Sequence, residues 1–261
     1  MELQRTLDKI RAQGLGVAAI SYDSQSVLKT FGDRRGITFP LLSDSGSAVI
    51  GAFGILNQDI PAGTMYRGVP HPGTYIVDRN GRVVAKYFEE NYTERYTSSE
   101  ILIRRFGAAA GGAHTTVETK HLRLSTAAGA DHVAAGQRIA LTLDLDMKPG
   151  MHVYAPEVKG YKPVAWTITA GAAPHAVEFP KSQMLRLEAI DETVPVYQGS
   201  VRLVRDVTIG KVKPGPLTIE GAFSYQACDD KICYIPQTVP LKWEITVDPL
   251  DVERVKPNQP K

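Results

Sequence analysis

The sequence predicts an α/β layer over residues 1–106 followed by an all-β sandwich over residues 117–248. Three observations predict this. From Leu3 to Phe106, apolar residues alternate between helical spacing and short strand-like runs. After Gly107-Ala-Ala-Ala-Gly-Gly-Ala113 the helical spacing is gone, and roughly eight short strands separated by Gly, Pro and Asp take over. The 261 residues are room enough for two ordinary domains.

Each element has a local reason. Leu3, Leu7 and Ile10 recur at helical spacing, and Gly14 stops that helix. Gly16 to Tyr22 is a short apolar run and so a buried strand. Ser24 to Arg35 reads as a helix, Phe39-Pro-Leu-Leu42 as an extended piece, and Ser47 to Phe53 as a second short helix. Thr74 to Asp78 and Val83 to Tyr87 make a hairpin around Asn80-Gly81. Ser98 to Phe106 is a closing helix. Residues 107–116 are a Gly/Ala-rich linker. The strands that follow include His121 to Leu124, Arg138 to Leu145, Ala165 to Thr169, Val201 to Ile209 and Leu217 to Tyr225. Residues 249–261 are polar with three prolines and are expected to be a disordered tail.

Composition excludes several classes. Hydrophobic residues make up 43% and charged residues 22%, and the formal charge is +2, so no electrostatic case exists for a nucleic-acid partner. No apolar run approaches the roughly 18 residues of a membrane span. The N-terminus lacks the basic, apolar, small-residue order of an export signal. Gly14-Leu-Gly16 precedes its strand instead of following one, so it is no dinucleotide fingerprint. Asn91-Tyr-Thr93 is a formal glycosylation acceptor without a secretory context.

The chemistry concentrates at Cys228 and Cys233, the two cysteines of the chain, five positions apart. A pair this close does redox chemistry, staples a loop, or supplies half a metal site. Phe223 and Tyr225 lead in, Tyr234 and Ile235 lead out, and Asp229 to Ile232 form a polar turn, so each cysteine sits at the end of a strand. Cross-strand Cβ atoms lie about 4.5–5.5 Å apart and a disulfide needs about 3.5–4.5 Å, a difference small enough for reversible closure. Lys231 would favour a thiolate, while Asp229 and Asp230 oppose it. Zinc would need two further ligands, and no closely spaced histidine pair offers them, so no metal or other cofactor is expected.

The first half resembles the peroxiredoxin (AhpC/TSA) family of thioredoxin-like proteins. The motifs are Gly16-Val-Ala-Ala-Ile-Ser-Tyr-Asp-Ser24, Ile37-Thr-Phe-Pro-Leu-Leu-Ser-Asp44 and Pro72-Gly-Thr-Tyr-Ile-Val-Asp-Arg-Asn-Gly81. The resemblance places Pro72 where such folds carry a cis-proline. It also implies a nucleophilic cysteine and a central strand upstream of Met1, so the domain is expected to be incomplete and incapable of cysteine-peroxidase chemistry. Without that strand, residues 16–22 and 74–77 must pair directly or leave a gap.

The second half resembles the N-terminal immunoglobulin-like domain of the thiol:disulfide interchange protein DsbD. It does so through Lys148-Pro-Gly-Met-His-Val-Tyr-Ala-Pro156 with Tyr161 and Pro163, Val194-Pro-Val-Tyr197, and Phe223-Ser-Tyr-Gln-Ala-Cys228 with Cys233-Tyr-Ile-Pro236. The resemblance implies an exchange-active Cys228/Cys233 pair and a thioredoxin-like redox partner, within the chain or separate. It also implies a periplasmic or otherwise exported setting and a capping loop at Asp191 and Glu192, where Thr193 stands in place of an aromatic. Tyr225, Tyr234, His152 and Tyr154 are candidates to shield or tune the pair. The expected function is thiol–disulfide electron transfer, connected to peroxide reduction and redox homeostasis. The rival is a non-enzymatic interaction module with a structural disulfide.

Overall fold

The computed structural model describes residues 2–61, 63–64, 67–88, 97–107, 114–187 and 191–249. Asn91, most of the expected linker (108–113) and the expected tail from residue 250 onward lie outside the described residues. The chain divides into two compact units, Met1–Ser98 and Ser99–Pro249.

The first unit contains α1 (Glu2–Arg5), α2 (Leu7–Ala12), β1 (Ala19–Ser21), α3 (Gln25–Arg35), β2 (Leu41–Ser43), α4 (Ala48–Ala52), β3 (Gly73–Val77) and β4 (Val83–Phe88). Ser24 caps α3 by accepting from the Val27 N–H, and Gly36, at φ 61°, ends it in the left-handed conformation. Parallel β1 and β2 form one two-stranded sheet and antiparallel β3 and β4 another. Direct pairing, one of the two arrangements expected for these strands, does not form: among the described residues β1 and β3 do not pair. Ile20, Leu42 and Val77 of these strands are 40–50% exposed. Asp78 Oδ1 accepts from the N–H groups of Asn80 and Arg82, which fixes the predicted Asn-Gly turn.

Pro72 follows a trans peptide bond, contrary to the cis bond expected. Trans is favoured by about 0.5–1 kcal/mol unless packing locks the alternative. Here His71 donates its N–H to Ile55 O at 2.7 Å and Leu56 bridges Pro70, which holds the segment in the ordinary isomer.

The second unit begins with α5 (Ser98–Phe106) and continues through thirteen strands among the described residues. These are β5 (His114–Glu118), β6 (Leu122–Ala128), β7 (His132–Ala134), β8 (Arg138–Met147), β9 (His152–Tyr154), β10 (Ala165–Ala170) and β11 (Ala173–Glu178). Then come β12 (Gln183–Leu187), β13 (Glu192–Gln198), β14 (Ser200–Thr208), β15 (Gly215–Tyr225), β16 (Ala227–Cys228) and β17 (Gln237–Asp248). The orders of the three sheets are β10-β15-β17-β7, β11-β14-β8-β6-β5 and β12-β13-β9-β16. Residues 114–116, expected in the linker, instead begin β5, which pairs with β6. Gly171, at φ 89°, turns β10 into β11 where a Cβ would stand 2.3 Å from Thr218 O.

Period-two burial organises the core. Val239, Leu241, Trp243, Ile245 and Val247 of β17 point inward and their neighbours outward. Trp243 stacks on Trp166 with centroids 5.8 Å apart, inside a core shared with Leu143, Leu203, Phe223 and Tyr225. The middle of β8 is buried on both faces because α5 covers the outer one: Ile103 packs with Ala127 and Ala140. The helix expected to close the α/β segment thus belongs to the sandwich unit from Ser99 onward.

The same helix carries charge into that contact. Arg104 Nε donates to Glu100 Oε1 at 3.1 Å, and its other nitrogens reach Glu178 and Asp206, which Arg138 also holds. Glu100 is fully buried, and burial with Asp206 nearby raises its carboxyl from 4.5 to about 9. The folded state therefore keeps a proton that the unfolded chain releases above 4.5. The associated stability is complete below 4.5 and is lost as the pH rises to about 9. Glu100→Gln is expected to flatten sandwich stability against pH across this window, measured by urea unfolding; equal slopes in variant and wild type would refute it.

Candidate functional site: a disulfide hairpin at a sheet edge

The site is built on β16, the short edge strand next to β9, in the register Ala227↔Val153 and Cys228↔His152. The chain then reverses over Asp229–Ile232, as the sequence predicts. Asp229 N–H donates to Ile232 O at 3.0 Å and Tyr234 N–H to Ala227 O at 2.8 Å. The Asp229 carboxylate holds the turn from inside: Oδ1 accepts from the N–H groups of Lys231 and Ile232, each at 2.8 Å, and Oδ2 accepts from the Tyr234 hydroxyl at 2.8 Å. Those bonds, the Ile232 and Lys231 amides foremost, hold the carboxyl below its ordinary range.

Cys228 and Cys233 face each other across the turn and are joined by a disulfide, with Cα atoms 4.0 Å apart. Their surroundings differ sharply. Cys228 is 1% exposed and packs with Tyr154, Val158, Val194 and Val196, whereas Cys233 is exposed. Ile232 and Ile235 flank Cys233 at 56% and 84% exposure.

Tyr154 lies against both sulfurs. Its hydroxyl is 3.3 Å from Cys233 Sγ and 3.5 Å from Cys228 Sγ, and because disulfide sulfur carries no hydrogen, the phenol is the donor. Burial, with Glu192 adding to it, pushes this phenol above its ordinary value, so it stays protonated at neutral pH. Tyr161 stacks on the Tyr154 ring at 4.6 Å and donates to Glu192 Oε2 at 2.6 Å, a bond that raises its own phenol to about 12. Glu192 thus reaches the sulfurs through two aromatic rings.

His152 is fully buried next to Cys228, 5.9 Å from the Tyr154 ring. On the other flank His121, also buried, lies 4.4 Å from the Tyr234 ring, with Lys120 Nζ 5.1 Å from that ring's centre. The structure therefore gathers Tyr154, His152, Tyr234 and Glu192 around the pair. It does not gather the other two candidates. Tyr225 lies in the main core, its hydroxyl 2.7 Å from Gln237 Oε1 and 2.9 Å from Thr119 Oγ1. Asp191 pairs with Arg186 on the surface. Residues 188–190 of the expected capping loop lie outside the described residues.

Sequence reasoning did not single out Tyr161, Asp229 and His121 as site residues. An Asp opening a turn was a readable signal for Asp229. Tyr161 belongs to the motif that carries the DsbD resemblance, which gave it no role at the site, and His121 arrives through loop packing, which leaves no spacing signature. Among the described residues no group of three or more His, Cys, Asp or Glu could hold a metal ion, and no helix is long and apolar enough to cross a membrane.

Residues 121–242 match the family model for the N-terminal domain of thiol:disulfide interchange protein DsbD. The sandwich is similar to the DsbD N-terminal domain over this stretch. Residues 1–86 match the AhpC/TSA family model, so the two resemblances read from the motifs hold, and with them the thioredoxin-like and immunoglobulin-like assignments. A putative peroxiredoxin of Mycobacterium tuberculosis is 34% identical over 92 residues, 35% of this chain and 58% of the relative. Peroxiredoxin Bcp of Escherichia coli is 28% identical over 81 residues, 31% of this chain and 51% of the relative. The chain thus spans little more than half the length of these curated relatives. Among solved structures, the N-terminal periplasmic domain of ScsB from Proteus mirabilis aligns with TM-score 0.42 and 13% identity, covering 53% of this chain and 54% of that one. The reduced DsbD N-terminal domain of Neisseria meningitidis aligns with TM-score 0.31 and 14% identity, covering 42% and 78%. The matched segment contains the whole disulfide hairpin, Tyr154, Tyr161 and the buried His121 and His152.

Proposed function

We propose that this chain is a thiol–disulfide electron-transfer protein whose working group is the Cys228/Cys233 disulfide. The observation that carries the reading is the asymmetry of the two sulfurs: Cys233 is open to a partner between exposed Ile232 and Ile235, while Cys228 is 1% exposed. A thiolate of a reduced dithiol partner attacks Cys233 Sγ, the internal S–S bond breaks, and Cys228 leaves as a thiolate facing the Tyr154 O–H. The partner's second thiolate then attacks its own sulfur in the mixed disulfide. Cys233 is released, two electrons have passed to this pair, and the partner is oxidised. The reverse sequence oxidises the pair.

A thioredoxin-like protein or domain suits the role of partner, because it presents one reactive sulfur on a surface that apolar residues such as Ile232 and Ile235 can meet. The likeness of residues 1–86 to peroxiredoxins supports a place in peroxide reduction, and the DsbD-type domain supports a periplasmic or otherwise exported setting. The second reading, a binding module with a structural staple, is favoured by the dense hydrogen bonding of the Asp229 turn. Equilibration in thiol buffers separates the two. A reduction potential above about −250 mV is expected for exchange, and a value below about −300 mV would mark a staple and overturn the proposal.

A further inference from the structure

His152 is fully buried, yet neither Nδ1 nor Nε2 has a hydrogen-bond partner among the described residues. Buried polar side chains are nearly always paired, so an orphaned imidazole calls for a reason. Its position supplies one. His152 is the direct cross-strand partner of Cys228, and such partners share a face with Cβ atoms about 4.5–5.5 Å apart. The titratable groups facing it are Cys228 from β16, Tyr154 from its own strand, and Asp229 and Asp230 from the turn. Burial, partly opposed by Asp230 and Asp229, holds the imidazole below its ordinary value of 6.5, which leaves a basic lone pair at neutral pH.

We propose that His152 is the proton acceptor for the Cys228 thiol when the pair is oxidised. The inference rests on the exchange reading above. With Cys233 held in a mixed disulfide, the Cys228 S–H proton moves to the imidazole. The resulting thiolate attacks Cys233 Sγ, the internal S–S bond forms, and the partner's sulfur leaves with the electron pair. The imidazolium then returns its proton to that thiolate or to water.

The neighbours are unsuited to this step. Tyr154 remains a protonated phenol and can donate to a thiolate but not accept from a thiol. The Asp229 carboxylate already accepts from three donors. Glu192 is engaged by Tyr161. A thiol buried among apolar groups is itself a poor acid, so an internal base has the most to contribute at this position.

The test uses the full chain, reduced and then mixed with oxidised glutathione. Cys233 takes up glutathione, and loss of that adduct, followed by acid quench and mass, reports the Cys228 attack. In the wild type the decay is expected to be flat with pH above the imidazole's lowered value. In His152→Phe it is expected to be ~100-fold slower at pH 7, at the low end of general-base contributions. It should also rise with pH toward the ordinary thiol range near ~8.5. His152→Gln fills a similar space without titrating and decides the matter if the Phe variant does not fold. Wild-type decay and a wild-type pH profile in the Gln variant would overturn the proposal while leaving exchange intact. A wild-type protein that never forms the adduct would instead remove the exchange reading itself, and this inference with it.

Discussion

Cys228→Ser is expected to stop exchange halfway and hold a thioredoxin-like partner as a covalent adduct through Cys233, whereas Cys233→Ser forms none. The remaining thiolate joins the partner only where the partner's disulfide sulfur can approach it in line, and that approach is open at exposed Cys233 and closed at Cys228, which lies under Tyr154, Val194 and Val196. Either substitution removes turnover completely, because each leaves only one sulfur. The difference lies in what accumulates. Non-reducing gel mobility and intact mass give the readout, with a partner that lacks its resolving cysteine and carries its one reactive sulfur as a mixed disulfide with an aromatic thiol: the variant's remaining thiolate attacks that sulfur, the new S–S bond forms and the aromatic thiol leaves. Adduct formation by Cys233→Ser and not by Cys228→Ser would reverse the order of events and refute the accessibility assignment.

The second large effect belongs to the scaffold. Trp243→Ala is expected to destabilise the sandwich by about 3–5 kcal/mol, the usual range for emptying a large aromatic site. Trp243 is 2% exposed and stacked on Trp166, so the void cannot fill from solvent and its neighbours lose contacts outright. Trp243→Phe should cost far less. The indole N–H is buried without an acceptor among the described residues, and Phe removes that unmet donor along with the extra ring. The chain has two tryptophans, 166 and 243, both in the sandwich, so indole fluorescence in urea follows this unit alone, and Trp166 remains as reporter in each variant. Equal losses for Ala and Phe would show that the hydrogen-bond deficit is compensated in a way the structure does not display.

Much of this architecture was legible in the residues because it depends on local pattern. The alternation from Val239 to Val247 announces a half-buried strand whatever covers it. Ser24 and Gly36 mark the ends of α3 by their own conformational preferences. The two cysteines, with an Asp-led turn between strand-like flanks, define the hairpin. What escaped depends on tertiary neighbours. The apolar stripe of α5 says that the helix must be covered but not by which unit, so it read as the end of the α/β layer until Ile103 was seen against Ala127 and Ala140. Glu100 and Asp206 look like ordinary surface acids in sequence; their burial follows from Arg104 and Arg138 reaching the same spot. Tyr225 and Tyr154 are alike in sequence, each aromatic and close to a motif, yet one enters the main core and the other the smaller cluster under the disulfide.

That smaller cluster has a thermodynamic consequence. Cys228 packs in a satellite of the main core, and its disulfide closes a loop between residues only five positions apart. So small a ring constrains the unfolded chain by only about 2 kcal/mol on the loop-entropy relation. The Trp166–Trp243 stack and the β15–β17 pairing involve neither cysteine. The sandwich thus acts as an insulator: its covalent state at the rim is hardly transmitted to the interior, and the oxidised and reduced molecules should differ in melting temperature only by the ~4–8 °C that such a ring constraint carries in a unit of this size. Any molecule that tells the two forms apart has to read the rim itself.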